Sequence, residues 1–132
     1  MHGANHWARV RHHGKYVAQR RDADLLVVEQ FAFLHDSCRW DDGRDLNHGE
    51  RGAEFAYGIN GKFFKLNELQ LDNLCFAIRH HSGDDISIDP TVQTCWDSDR
   101  LDLGRVSITP SPKFISDVAS EIIGYAFDLS IK

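Results

Sequence analysis

The 132-residue chain has three cysteines, Cys38, Cys75 and Cys95, and no CxxC pair among them. An odd, widely spaced set excludes a disulfide framework and a cysteine zinc site, and predicts reduced, mostly buried thiols. Positive charge is in deficit, with 15 Lys plus Arg against 20 Asp plus Glu and a formal net charge of −5. That removes the basic footprint of a general nucleic-acid binder and leaves room only for a local group of arginines. The longest apolar runs, such as Leu25-Leu26-Val27-Val28, fall far short of the roughly 20 residues that a membrane span needs. The first residues, Met1-His2-Gly3-Ala4-Asn5-His6-Trp7, lack the basic and apolar segments of a secretory leader, so a cytoplasmic location away from membranes is expected. Strand-period alternation, repeats, linkers and low-complexity tracts are missing too. What remains is an ordinary globular composition, 42% hydrophobic and 27% charged, which suits one core in one domain over 1–132.

Two residue types are in excess, eight histidines and fifteen aspartates, the side chains that supply most hard or borderline metal ligands. Their positions depend on helices, which the periodicity predicts throughout. A first helix runs from about Ala4 to Arg20, where His6, Val10, His13 and Val17 at i, i+4, i+7 and i+11 border the buried stripe. A second begins after Asp24 as N-cap and is apolar from Leu25 to Leu34, ending in His35-Asp36. Ser37 to Leu46, with Asp41, Asp42 and Asp45, reads as a solvated loop. Asn47-His48-Gly49-Glu50 has the form of a capping box and opens a third helix through Tyr57, ended by Gly58 and Gly61. Asn67 to Gln70 repeats that logic for a fourth, which ends in Arg79-His80-His81. Asp89-Pro90 opens a fifth toward Trp96 and Leu101, and Ser111-Pro112 precedes a last helix from Ser116 to Tyr125. The expected class is all-α, a compact bundle of about six helices.

With this composition about one His-Asp dipeptide arises by chance, so His35-Asp36 informs only through its context. A histidine and a carboxylate at the end of the most apolar helix are partly desolvated, and buried charge is costly unless paired or bound to metal. His6, His48, His80-His81 and the carboxylates of Asp97-Ser98-Asp99-Arg100-Leu101-Asp102 share such placement at element ends or core edges. All five segments can converge at one end of a bundle. Imidazole and carboxylate without thiolate suit Mn, Fe, Ni, Zn or Mg. His2 and His12 are read as surface residues. Arg100 has a plain alternative, pairing with Asp97 or Asp102 along its own helix.

The order His6, then His35-Asp36, then Asp99 within Asp-Arg-Leu resembles the HD-domain metal-dependent phosphohydrolases, in particular small stand-alone bacterial HD proteins. His6-Trp7-Ala8-Arg9-Val10 is similar to the first motif of that family, and the likeness extends over about Gly3 to Val106. The resemblance implies a compact helical bundle and a primary metal site of His6, His35, Asp36 and Asp99. It further implies a second set in which His48 and one of His80 or His81 join Asp36, with His81 taken as the ligand. One or two divalent ions are expected, with Asp36, His48 and Asp99 in the catalytic role. Asp97 is the rival of Asp99. No Gly-Tyr-Pro follows His80-His81, unlike the cyclic-dinucleotide phosphodiesterases of the superfamily, and an attached synthetase or sensor domain is not expected.

The expected chemistry is attack of a metal-activated water on the phosphate ester of a small molecule, a nucleotide or related phosphoester. Arg39, Arg51, Arg100 and Arg105 are the candidate phosphate contacts, because guanidinium matches phosphate bidentately. The expected partner is a small phosphorylated substrate, with no general nucleic-acid binding and with a homodimer left open. Two alternatives use the same ligands, a metal-binding regulatory module without turnover and a di-iron oxygenase of the same fold.

Overall fold

In the computed structural model, residues 3–37, 47–62 and 64–131 are described. Seven α-helices are present among them: α1 (Gly3–Arg21), α2 (Leu25–Leu34), α3 (His48–Ile59), α4 (Glu68–Arg79), α5 (Pro90–Arg100), α6 (Asp117–Ser120) and α7 (Ile123–Ser130). Two 3₁₀ turns, Leu103–Val106 and Pro112–Phe114, lie between α5 and α6. The all-α class is as expected. The readings of Arg39 and of the Asp41, Asp42 and Asp45 loop lie outside the described residues, as do Cys38 and His2.

Local capping rules place three of the helix starts. Asp24 accepts from Leu26 N at 3.0 Å, and Asp89 accepts from Thr91 N and Val92 N at 2.9 and 3.0 Å. Asn67 and Gln70 form a reciprocal capping box. These caps are themselves tied together, since Gln70 Nε2 donates to Asp24 and Asp24 N donates to Thr91 Oγ1, each at 2.9 Å.

Two expectations are corrected. Asn47 makes no side-chain cap bond, since its backbone, at φ −104° and ψ 5°, is not in the extended conformation of a cap, and Glu50 pairs with Arg79 of α4 at 2.7 Å instead of reaching back. The expected last helix from Ser116 to Tyr125 is two helices, since the chain tightens at Ile122, whose N–H reaches only back to Ala119 O at 3.1 Å.

The core gathers Val10, Val27, Val28, Phe31, Leu74, Ile78 and Trp96, with Trp96 Nε1 donating to Ala77 O at 2.9 Å. A second cluster of Val17, Leu101, Ile115, Ala119 and Ala126 seats the C-terminal helices. Helix α5 is polar by composition yet buried from Thr91 to Ser98. Its polar groups turn to internal partners, such as Ser98 Oγ to Cys95 O at 2.6 Å and Gln93 Nε2 to Asp97 at 2.8 Å. Gly14 lets this packing close, since a Cβ there would lie 2.6 Å from Val28 of α2. Among the described residues no helix is long and apolar enough to cross a membrane.

Candidate metal centre

Five helices deliver side chains to one place. α1 brings His6, the end of α2 brings His35 and Asp36, the first residue of α3 is His48, His81 follows α4, and Asp99 lies in the last turn of α5. Here the packing depends on Gly49. Any Cβ at that position would meet the carbonyl oxygens of Arg79 and Ile78 at 2.6 and 2.9 Å, so only glycine lets α3 start against the end of α4. His48 Nε2 and His81 Nε2 are thereby 2.9 Å apart.

Among the described residues two groups have the spacing of metal ligands, His6 with His35 and Asp36, and Asp36 with His48 and His81. In the first, the two Nε2 atoms are 3.1 Å apart and lie 3.7 and 3.6 Å from Asp36 Oδ2. Asp99 Oδ1 completes it, 3.3 Å from each Nε2. In the second, Asp36 Oδ1 is 3.3 Å from His48 Nε2 and 3.2 Å from His81 Nε2. Ligands bonded to one ion at about 2.0–2.2 Å are separated from one another by about 3 Å, the spacing seen in both groups.

The outer ring nitrogens fix which atoms face inward. His35 Nδ1 donates to Phe31 O at 3.0 Å and His81 Nδ1 to Ile78 O at 2.6 Å, so in the neutral rings both Nε2 atoms are bare lone pairs. His6 Nδ1 is held by Asp102 Oδ2 at 2.7 Å. Arg9 braces that carboxylate with Nε at 2.6 Å and Nη2 at 3.0 Å. Asp99 Oδ1 is buried and meets no donor in hydrogen-bonding geometry. An orphaned carboxylate oxygen facing imidazole lone pairs is what a divalent cation satisfies, so the residues fit a metal.

Burial opposes ionisation of Asp36 and Asp99. Even so, when the inward nitrogens carry protons instead of facing an ion, His48 and His81 hold the Asp36 carboxyl far below the usual carboxylate range, and His35 and His6 do the same for Asp99. Burial works to lower the pKa of His6, but Asp102 and Asp99 outweigh it and raise it. The buried thiols of Cys75 and Cys95 are pushed up, which makes neither a ready nucleophile.

No family model matches the chain, and no curated protein matches it in sequence. Its fold is similar to the crystal structure of a predicted HD superfamily hydrolase from an uncultured Thermotogales bacterium. The TM-score is 0.74 at 27% identity, covering 98% of this chain and 76% of that one. The chain has an HD-domain fold. In this HD domain the fold and the His/Asp groups together support a metal-dependent HD hydrolase in general.

Two open choices of the HD-domain reading now have different surroundings. Asp97 points away from the imidazoles, accepting from Ser116 N at 3.0 Å, Ser116 Oγ at 2.5 Å and Gln93, whereas Asp99 faces His6 and His35. His81 is buried in the cluster and His80 is exposed.

The metal groups open on a cavity of about 240 Å³ lined by Asp36, His81 and Asp99, and further by Ser82, Asp84, Arg105, Ser111 and Phe114. Of the arginines expected to contact phosphate, Arg105 lines the cavity, with Nη2 3.9 Å from Asp99 Oδ1, Nη1 on Asp102 O at 2.8 Å and a buried Nε without a partner. Arg100 also reaches the cavity, but its guanidinium is committed to Phe114 O at 2.7 Å and Gly83 O at 3.0 Å. It joins two walls instead of offering a free fork, and it pairs with neither Asp97 nor Asp102. Arg51, in α3, is not among the residues lining the cavity. Sequence reasoning missed Asp102 and Arg9 as the brace of His6, although Asp99 and Asp102 are three residues apart, the spacing that puts two carboxylates on one side of a helix end. It also missed Ser82, whose Oγ is 3.1 Å from His48 Nε2.

Proposed function

We propose that this HD domain is a metal-dependent phosphohydrolase acting on the phosphate ester of a small molecule, a nucleotide or related phosphoester. The observation that carries the reading is the pair of ligand groups sharing Asp36 at the edge of a cavity that also holds Arg105. A divalent ion bound at such a group supplies Lewis acidity and a water of lowered pKa.

The chain's own residues supply the rest. Asp36 and Asp99 stay ionised, so they hold negative charge at the centre, and Asp102 with Arg9 keeps His6 turned with Nε2 inward. Arg105 presents N–H donors beside Asp99, where a phosphoryl oxygen gains a charge-assisted bond. Ser82, Asp84 and Ser111 offer hydrogen-bonding groups to the rest of the ester, and Phe114 offers a ring face. Arg100 acts on the shape of the pocket through the two carbonyls it joins. A cavity of about 240 Å³ favours a small substrate over a polymer.

The test is metal content by elemental analysis together with phosphate release from a panel of nucleotides and generic phosphoesters. The double variant His35→Ala/Asp36→Ala is expected to lose both the metal and the activity. Full turnover by that variant, free of metal, overturns the proposal, and a metal-loaded wild type that hydrolyses no ester does so as well.

A further inference from the structure

A groove of about 460 Å³ shares Ile115 with the metal pocket and is lined by cations from two segments, Arg20 and Arg21 at the end of α1 and Lys113 of the second 3₁₀ turn. Asp117 is the one carboxylate in its lining. Arg9, Arg11, Arg79 and Arg105 each stand beside a carboxylate, whereas none of the three groove cations is ion-paired among the described residues. In a chain of net charge −5, cations gathered without counter-charges repel one another, a cost that a bound anion relieves. Arg21 acts on the buried Asp97 only through space: burial raises that carboxyl's pKa, Ser116 and Gln93 take its oxygens, and Arg21 opposes the rise from beyond ion-pair distance. The neutral groups of the groove are spent, since Ser87 N donates to Gln93 Oε1 at 2.7 Å while Gln93 Nε2 and Ser116 Oγ donate to Asp97. Arg20 is held ready, with Nη1 on Tyr16 O at 2.9 Å and its guanidinium 3.6 Å from the centre of the Tyr16 ring, so it has little freedom left to lose on binding.

We propose that this groove binds a small organic anion carrying two phosphate groups, and that its occupancy moves Phe114 in the metal pocket. Guanidinium and ammonium groups are the side chains that hold phosphate, and three of them outweigh the single carboxylate of Asp117. The volume leaves room for more than one phosphate, with an apolar body against Ile86 and Val118. No aromatic side chain lines the groove, so a nucleobase finds no ring to stack on. The negative charge of the whole chain repels an extended polyanion, whereas a small anion meets only the groove. Phe114 and Ile115 form the wall between the two hollows. Phe114 O accepts from Arg100 Nη1 on the metal side at 2.7 Å and from Gln93 Nε2 on the groove side at 3.3 Å. Lys113 Nζ lies 5.7 Å from the centre of the Phe114 ring, within reach of a cation–π contact. Drawing Lys113 onto an anion ends that contact, so the anion favours a second setting of the ring that lines the metal pocket. Nothing in this coupling depends on the reaction proposed for the metal centre.

The test titrates the full chain with a butane carrying a phosphonate at each end, whose C–P bonds a phosphohydrolase does not cleave. Calorimetry reads affinity, and NMR reads the Ile115 methyl groups and the Phe114 ring. Saturable binding is expected, at least tenfold tighter than that of adipate, the matching dicarboxylate, with shifts at both residues. Arg21→Gln/Lys113→Gln should weaken binding at least tenfold, and Arg21→Lys/Lys113→Arg, which keeps the charges, should retain most of it. Arg105→Gln, in the metal pocket, should bind as the wild type does. The proposal is overturned if binding does not saturate in the millimolar range, if adipate binds equally well, or if the neutral double variant binds as the wild type does. It is overturned equally if Arg105→Gln loses the anion, which places it at the metal centre, or if Phe114 does not shift.

Discussion

Replacing Gly49 by alanine probes how the two ligand groups are held together. The added methyl group would stand 2.6 Å from Arg79 O and 2.9 Å from Ile78 O, where ordinary contact begins at 3.4 Å. Both obstacles are backbone at the end of α4, so the start of α3 must retreat by about 0.8 Å in the nearer direction, an overpacking that costs about 1–3 kcal/mol. His48 is the residue before, and Ile78 O is the acceptor that orients His81, so the 2.9 Å approach of the two Nε2 atoms is lost with it. Ligand constellations tolerate errors of only about 0.5 Å, so affinity at the Asp36, His48 and His81 group should fall by about 10–100-fold while His6, His35 and Asp99 keep theirs. The melting temperature should drop by roughly 4–12 °C. Gly58→Ala is the control: nothing lies within 4 Å of its Cβ, and in the same helix it should stabilise by up to about 1 kcal/mol. The assays are metal stoichiometry by plasma emission and thermal denaturation of both variants. A Gly49→Ala protein with wild-type stoichiometry and a melting temperature within about 1 °C refutes the close-approach argument.

Asp102→Asn leaves the brace of His6 uncharged, and Mn²⁺ titration should show about 10–100-fold weaker binding; unchanged affinity denies Asp102 its orienting role. His13 gives a pH signature. Its pKa is about 4 in the folded chain against an ordinary 6.5, so the unfolded state takes up the proton first as pH falls. The stability linked to His13 is therefore complete above pH 6.5 and erodes between 6.5 and 4, by about 3 kcal/mol in total. Urea melts at a series of pH values should show this slope in the wild type and lack it in His13→Phe; equal slopes contradict the assignment. Arg100→Met strands the carbonyls of Phe114 and Gly83 and should cost about 2–3 kcal/mol in the same melts, with a loss under about 0.5 kcal/mol denying the cross-wall contact its importance.

What could be read from the sequence was what local rules decide. Asp24, Asn67 and Asp89 cap helices with atoms two or three residues away, and the caps formed where the residue types announced them. Asn47 had the same form, but its backbone leaves the extended cap conformation and Glu50 pairs with Arg79, 29 residues along the chain. The ligand types were legible because His and Asp crowd at helix ends. Their outer supports were not, since Asp102 serves His6 and Arg9 across more than 90 positions and shows its use only once α1 lies against the end of α5. The contacts of Arg100 were hidden for a related reason. Its partners are backbone carbonyls, which carry no signal in a sequence.

A chain without a disulfide framework has here another means of joining its distant parts. Residues 6 and 99 meet at one oxygen and one nitrogen, so an ion held by both closes a loop of about 90 residues. A covalent link over that span removes unfolded-state freedom worth about 4–5 kcal/mol, and a coordinate link acts in the same sense for as long as it lasts. Such a tie is reversible and set by the free metal concentration, so chelation should shorten the lifetime of the folded state toward proteases before any change in its average shape can be seen. On the proposed function, the histidines and aspartates that would hold the ion would also serve as removable cross-links.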